Sequence, residues 1–271
     1  MMKVAIIGCG YVGTAVARHW QQAGDVEVAV TTTTPSRIPS LEAIASQVEI
    51  ARGNDPKALQ SVLRDRDAIL LTIGARSASY EETYLATAKT LVSLLPDFPS
   101  IRQVIYTSSY AVYGDRAGAW VDETSPLAPA NNNGSILAQT EETLLNSSCN
   151  ACILRLGGIY GEGRELVRIF GRAAGLTRPG DGTDASNWIH IEDIVGAIDF
   201  ALRHDLNGIY NLVDDSHLTT GELIGSVLEK NGLPPVIWDS SQPSQRPYNA
   251  KVSNQKIKNA GYVFVRPKIV F

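Results

Sequence analysis

Glycines at positions 8, 10 and 13 follow the apolar run 4–7 in Gly-x-Gly-x-x-Gly spacing. Residues of this type, so spaced, can do one piece of chemistry: they bring main-chain N–H groups up to an anion. Gly8 supplies the bend where a buried strand feeds at once into a helix. Gly10 lets a pyrophosphate approach the main chain, and Gly13 lets the helix pack closely on the strand. Tyr11 and Val12 open that helix, whose first N–H groups and dipole favour negative charge. Val12, Ala15, Val16 and His19 or Trp20 recur at helical spacing, and Gly24 closes the segment 11–24. The strand, turn, helix, strand order predicts a dinucleotide site.

The end of the second strand, 26–30, decides which dinucleotide. An NAD site usually carries an Asp or Glu about 20 residues past the glycines to accept from the ribose hydroxyls. This chain has Thr31, Thr32, Thr33, Thr34, Pro35, Ser36 and Arg37. A carboxylate would repel a 2′-phosphate, whereas hydroxyl donors and a guanidinium would bind it. NADP is therefore expected over NAD, with Thr31, Thr32, Ser36 and Arg37 as contacts; Arg37 could equally be a solvated surface charge. By position alone, Thr72 and Gly74, ending the fourth strand, belong beside the coenzyme's ribose. Gly53, Asn54 and Asp55, ending the third, belong near the adenine.

These turns need a sheet to hold them. Apolar runs at 4–7, 26–30, 48–51, 68–73, 103–107 and 151–156 read as buried strands, and helical patterns lie near 11–24, 56–65, 79–95 and 136–147. Alternation of this kind implies an α/β fold, a doubly wound parallel (Rossmann) sheet whose ligands bind beyond the carboxyl ends of its strands. After residue 161 the rhythm changes. Residues 165–174 and 191–203 read as helices, 208–213 as a strand, and 219–231 as a helix opened by a Thr219-x-x-Glu222 capping box. The tail from 233 is rich in Pro, Ser and Asn and should be loop-heavy. The expected division is a nucleotide-binding domain over 1–161, with 188–215 returning to it, and a small interleaved substrate lobe over 162–187 and 216–271.

Composition narrows the function. A chain of 271 residues, 44% hydrophobic, can bury a large core, and a net charge of −4 without a basic cluster offers nothing to a phosphate backbone. No apolar stretch approaches the roughly 20 residues that span a bilayer, and residues 1–3 lead straight into the first strand. A soluble cytoplasmic protein with no nucleic-acid or membrane partner is expected. The cysteines are Cys9, Cys149 and Cys152. Cys149 and Cys152 have C-x-x-C spacing but lead into a strand rather than starting a helix, and no second pair exists to complete a zinc site, so neither redox nor metal chemistry is expected.

The segment 107–115, Thr-Ser-Ser-Tyr-Ala-Val-Tyr-Gly-Asp, resembles the Ser-Ser-x-x-Val-Tyr-Gly turn after the fifth strand of extended and atypical short-chain dehydrogenases/reductases, the nucleotide-sugar epimerase/dehydratase family. Residues 154–161 (Leu-Arg-Leu-Gly-Gly-Ile-Tyr-Gly), 188–194 (Trp-Ile-His-Ile-Glu-Asp-Ile), 208–211 and 249–251 agree in order and spacing. The resemblance spans nearly the whole chain. It implies hydride transfer at a hydroxyl or carbonyl of a small sugar-type or nucleotide-linked substrate, with Ser109 hydrogen-bonded to the reacting oxygen; the alternative is a Ser109 hydroxyl satisfied by nearby backbone. It also implies, by analogy, a homodimer through helices like 79–95 and 136–147.

The family's Tyr-x-x-x-Lys is missing. Aligning Glu141 with the glutamate that follows that motif puts Asn133 at the tyrosine and Leu137 at the lysine, and residues 130–139 contain neither Tyr nor Lys. Leucine cannot titrate, and asparagine is no general acid near neutral pH. Tyr113, four residues past Ser109, is the candidate substitute proton donor; the alternative is that its ring packs beside the substrate. Gly8 also departs from the extended form, whose first glycine falls on Ile7; the form seen here resembles that of atypical members.

Arg164, Arg168, Arg178 and Arg246 fall in the region resembling the substrate lobe, where a guanidinium could grip a diphosphate or simply face solvent. Glu141 and Glu142 read as a solvated helix face, and His190 and Asp193 as structural, the Asp capping or favouring the first turn of the helix that follows. Two other readings stay open: a coenzyme-binding sensor or regulatory protein without turnover, and an unrelated dehydrogenase with a helical second domain.

Overall fold

A computed structural model describes residues 1–75 and 79–271. The described chain runs β1 (Met2–Ile7), α1 (Tyr11–Ala23), β2 (Val26–Thr32), α2 (Ile38–Glu42), β3 (Gln47–Ile50), α3 (Pro56–Leu63), β4 (Ala68–Leu71), α4 (Ala86–Leu94) and β5 (Gln103–Ser109). It continues through β6 (Trp120–Val121), α5 (Asn132–Leu145), β7 (Asn150–Leu156), β8 (Gly158–Tyr160), α6 (Leu166–Phe170), β9 (Thr177–Pro179), β10 (Trp188–His190) and α7 (Ile191–Arg203). Last come β11 (Gly208–Leu212), α8 (Thr220–Lys230), β12 (Ile237–Asp239), β13 (Lys251–Val252) and α9 (Gln255–Asn259).

The large sheet is parallel, seven-stranded and ordered β11-β7-β5-β4-β1-β2-β3. Val4 of β1 faces Val28 of β2 on one side and Ala68 of β4 on the other. The strand order therefore reverses between β1 and β4, and at such a switch point the turns beyond the carboxyl ends diverge and leave a crevice. Strands buried on both faces tend to be apolar along their length, and residues 4–7 of β1 and 68–71 of β4 are unbroken runs of Val, Ile, Leu and Ala. Ile7, Ala29, Leu59, Val62, Ile69, Leu91, Val104 and Ile153 share one buried cluster, and full burial of a side chain of Val or Leu size contributes about 1.5–3 kcal/mol.

The chain forms two compact units. The first comprises Met1–Ser108, Asn132–Arg155 and Val195–Tyr210; the second comprises Ser109–Asn131, Leu156–Ile194 and Asn211–Phe271. This division departs from the expected boundary at 161: residues 109–131, 156–161, 188–194 and 211–215 join the second unit. The reason is local pairing. Within the second unit short strands pair in three small parallel ladders, β8 with β10, β6 with β13 and β9 with β12.

Some element limits also differ. β4 stops at Leu71 rather than 73. α5 begins at Asn132 rather than near 136, so the asparagine run at 131–133 enters the helix. The capping box forms as read: Glu222 N donates to Thr219 Oγ1 at 3.2 Å, and Thr219 N donates to Glu222 Oε2 at 2.8 Å.

Candidate coenzyme and reaction site

The switch point brings the ends of β1 and β4 together at Gly8. Its φ is +82°, and a Cβ there would stand 2.6 Å from Ile73 Cγ2, so both backbone angle and space demand glycine. A Cβ on Gly13 would lie 2.7 Å from Thr72 Oγ1 and 3.1 Å from Ile6 Cγ2. Gly10 is different: a Cβ there would meet nothing closer than 3.9 Å, so the main chain is open on that side. Gly10 caps α1 without any side-chain hydrogen bond, and the half-buried Tyr11 and the buried Val12 open the helix behind it. This arrangement fits a diphosphate against bare main chain.

Several hydroxyls expected to face the coenzyme also make contacts inside the turn. Thr31 is buried, and its Oγ1 accepts from Gly8 N at 2.9 Å. Thr32, also buried, accepts from Thr34 N at 3.2 Å. Thr72 Oγ1 donates to Gly8 O at 3.0 Å. A buried main-chain group needs a partner, and a threonine at a strand end is the nearest one available. Thr33, Thr34 and Ser36 remain exposed. Arg37 is no free surface charge: Nη2 donates to Thr14 Oγ1 at 2.7 Å and Nη1 donates to Cys9 O, which holds the guanidinium over the glycine turn. Gly74 is exposed and Asn54 half-buried. At Gly53, a Cβ would press on Thr87 at 2.5 Å.

Asn133, Leu137 and Glu141 follow one another at four-residue spacing along α5. Asn133 is exposed, Leu137 is buried, and Glu141 is only 2% exposed. The expectation of a solvated Glu141 fails. Arg155, from β7, donates Nε to both Glu141 oxygens at 3.1 Å and Nη2 to Oε2 at 2.6 Å, and Ser108 Oγ donates to Oε1 at 2.6 Å. The signal was a lone arginine in the apolar run 151–156, because a charge there must find a partner.

Ser109 closes β5 in extended geometry and is half-buried. Its Oγ accepts from Ala111 N at 3.2 Å, which orients the oxygen, and no acceptor among the described residues takes its proton. Tyr113, the candidate proton donor, ends the short turn after β5. It is fully buried, and its hydroxyl donates to Asn211 Oδ1 at 2.8 Å.

The other candidates separate clearly. Arg164 is exposed and donates to Ile159 O at 3.3 Å, Arg168 is exposed and pairs with Glu165, and Arg178 is half-buried. Arg246 is held rigidly, with Nη1 on Thr220 Oγ1 at 2.6 Å and Nη2 on Tyr110 OH at 3.0 Å. Burial pushes the Tyr110 phenol up to about 12, so it stays protonated beside the guanidinium. Asp193 stands in the first turn of α7, where its charge favours the helix N-terminus as read. It is fully buried and accepts from Val265 N at 2.6 Å, Arg266 N at 2.9 Å and Tyr262 OH at 3.1 Å, pinning a later segment. All three cysteines are free thiols.

A parallel sheet whose first strand passes through three glycines into an uncapped helix defines a nucleotide-binding α/β protein of the doubly wound class. The model of the NAD dependent epimerase/dehydratase family matches residues 4–212, and the chain belongs to that family. It is 34% identical over 253 residues to Protein YeeZ of Escherichia coli (strain K12), covering 90% of this chain and 89% of that one. It is 26% identical over 236 residues to a UDP-glucose 4-epimerase of Azospirillum brasilense, covering 73% and 67%. The fold also matches a UDP-glucose 4-epimerase of Thermus thermophilus solved in complex with NAD. That match has a TM-score of 0.79 at 22% identity and covers 100% of this chain and 95% of that one. No helix among the described residues is long and apolar enough to cross a membrane.

Proposed function

We propose that this protein is an NADP-preferring oxidoreductase or epimerase acting on a hydroxyl or carbonyl of a sugar-type, nucleotide-linked substrate. The observation that carries the reading is Ser109: its oxygen is fixed by Ala111 N while its proton is left for an acceptor. That is the arrangement needed to hydrogen-bond a reacting carbinol or carbonyl oxygen. When bound, the coenzyme supplies the group that accepts or returns a hydride. Gly8, Gly10 and Gly13 hold its diphosphate, and Ser36 and Arg37 favour a 2′-phosphate because no carboxylate stands beside them.

Asn133 and Leu137 leave proton exchange to Ser109 and water. Tyr113 is a buried support rather than the donor. Arg246, fixed by Thr220 and Tyr110, supports recognition of a substrate phosphate, since a guanidinium already held in place loses little entropy on gripping an anion. The Azospirillum relative, a UDP-glucose 4-epimerase, supports the substrate class.

The test is calorimetry with NADP and NAD, followed by a panel of nucleotide-linked keto-sugars with NADPH, read at the nicotinamide absorbance band. Binding with turnover is expected. Tight binding without turnover on any member would favour a coenzyme-sensing protein instead, a reading that the loss of the usual tyrosine and lysine invites.

A further inference from the structure

The second compact unit contains a cavity of about 350 Å³ whose lining residues all belong to that unit. Its walls are mainly apolar, with Leu166 and Val167 from α6, Val227 from α8, and Phe271. A volume of this size lies at the small end of ligand pockets.

Tyr160, Glu165, His190 and Asn231 bring polar groups to the lining, and His190 gives the cavity direction. His190 lines it, and its Nδ1 accepts the backbone N–H of Glu192 at 3.2 Å. The ring proton of the neutral imidazole therefore sits on Nε2, which becomes a donor. No acceptor among the described residues takes that proton. Gly161 keeps the space beside it clear. Its φ is +136°, and a Cβ there would stand 3.1 Å from His190 Nε2 and 2.5 Å from Ile191 Cγ2.

Charge narrows the ligand further. Burial pushes the His190 imidazole below its usual range, so it is a neutral donor near pH 7. Glu165, at the lining, is held below the usual carboxylate range by backbone N–H groups, its own and that of Gly163, and so stays ionised and disfavours an anion. We propose that this cavity binds a small uncharged carbonyl compound, its oxygen on His190 Nε2–H and its hydrocarbon body between α6 and α8. None of its lining residues is among those assigned above to coenzyme and substrate, and neither assignment depends on the other.

The probe is cyclohexanone, titrated into isotope-labelled protein while the His190 ring resonances and the Val167 and Val227 methyls are followed by NMR. Saturable shifts at these positions are expected. Methylcyclohexane, which has a similar body but no acceptor, should bind about five- to tenfold more weakly, the worth of one neutral hydrogen bond. Val167→Trp, made at a half-buried position and so tolerable to the fold, should fill the cavity and abolish the shifts while leaving NADP binding unchanged. No saturable shift, equal affinity for the two probes, or shifts that persist in Val167→Trp would each overturn the proposal. Loss of NADP binding in wild-type protein would count only against the coenzyme reading.

Discussion

Arg155 grips Glu141 where neither is reached by solvent: Nη2 lies 2.6 Å from Oε2, and each side chain is 2% exposed. Removing one partner strands the other charge, at a cost of about 3–5 kcal/mol. Glu141→Gln and Arg155→Met should each lose about that much in urea unfolding, whereas the double variant Glu141→Leu with Arg155→Met should recover most of it. Single variants within about 1 kcal/mol of wild type would show that the pair is dispensable.

Gly8 and Gly10 of the turn should fail in different ways. Gly8→Ala meets both a positive φ and Ile73, so it should cost about 2 kcal/mol or more in stability. Gly10→Ala has room and an ordinary φ, so its melting temperature should stay near that of wild type while coenzyme affinity falls about tenfold or more. Calorimetry and thermal unfolding on both variants separate the effects. Undiminished coenzyme binding by Gly10→Ala would remove the diphosphate from this turn.

What the sequence disclosed, and what it hid, follows from the range of each interaction. Strands buried on both faces show as apolar runs, and a cap such as Thr219 with Glu222 is complete within four residues, so both could be read directly. Glu141 could not, because its environment is fixed by Arg155 on another element, and a polar residue in a helical pattern defaults to the solvent face. The same holds for Thr31 and Thr72. Spacing placed them at strand ends beside the coenzyme, but could not say which backbone group their hydroxyls would meet. The asparagine run at 131–133 reads as loop by composition, yet packing of α5 overrides that weak local preference.

Arg37 lies over the glycine turn, bound to Cys9 O and Thr14 Oγ1. Arg37→Ala should weaken NADP binding by about tenfold, roughly one charge-assisted contact, and leave NAD binding nearly unchanged. Equal losses for both coenzymes in parallel titrations would mean that Arg37 only stiffens the turn.

Burial raises Asp214 from its ordinary value of 3.8 to about 7, and its Oδ2 finds no hydrogen-bond partner among the described residues. Between about pH 4 and 7 the folded chain holds a proton there that the unfolded chain has lost. Stability from this group therefore falls as pH rises, by at most about 1.4 kcal/mol per pH unit, and levels off above pH 7. Asp214→Asn cannot titrate, so the difference between the two stability profiles should slope across that window and be flat above it. Parallel profiles would mean that the carboxyl is ionised throughout.

Ser109 and Tyr113 divide the last question between them. Ser109→Ala should lower turnover by about 100-fold with coenzyme affinity intact, because it removes the group that meets the reacting oxygen. Tyr113→Phe loses only a hydroxyl already given to Asn211, so it should cost about 1 kcal/mol of stability and change turnover little. A Tyr113→Phe variant as slow as Ser109→Ala, with an altered pH–rate profile, would mean that the phenol leaves Asn211 during reaction and delivers the proton itself. An unaffected Ser109→Ala would place the chemistry elsewhere in the chain.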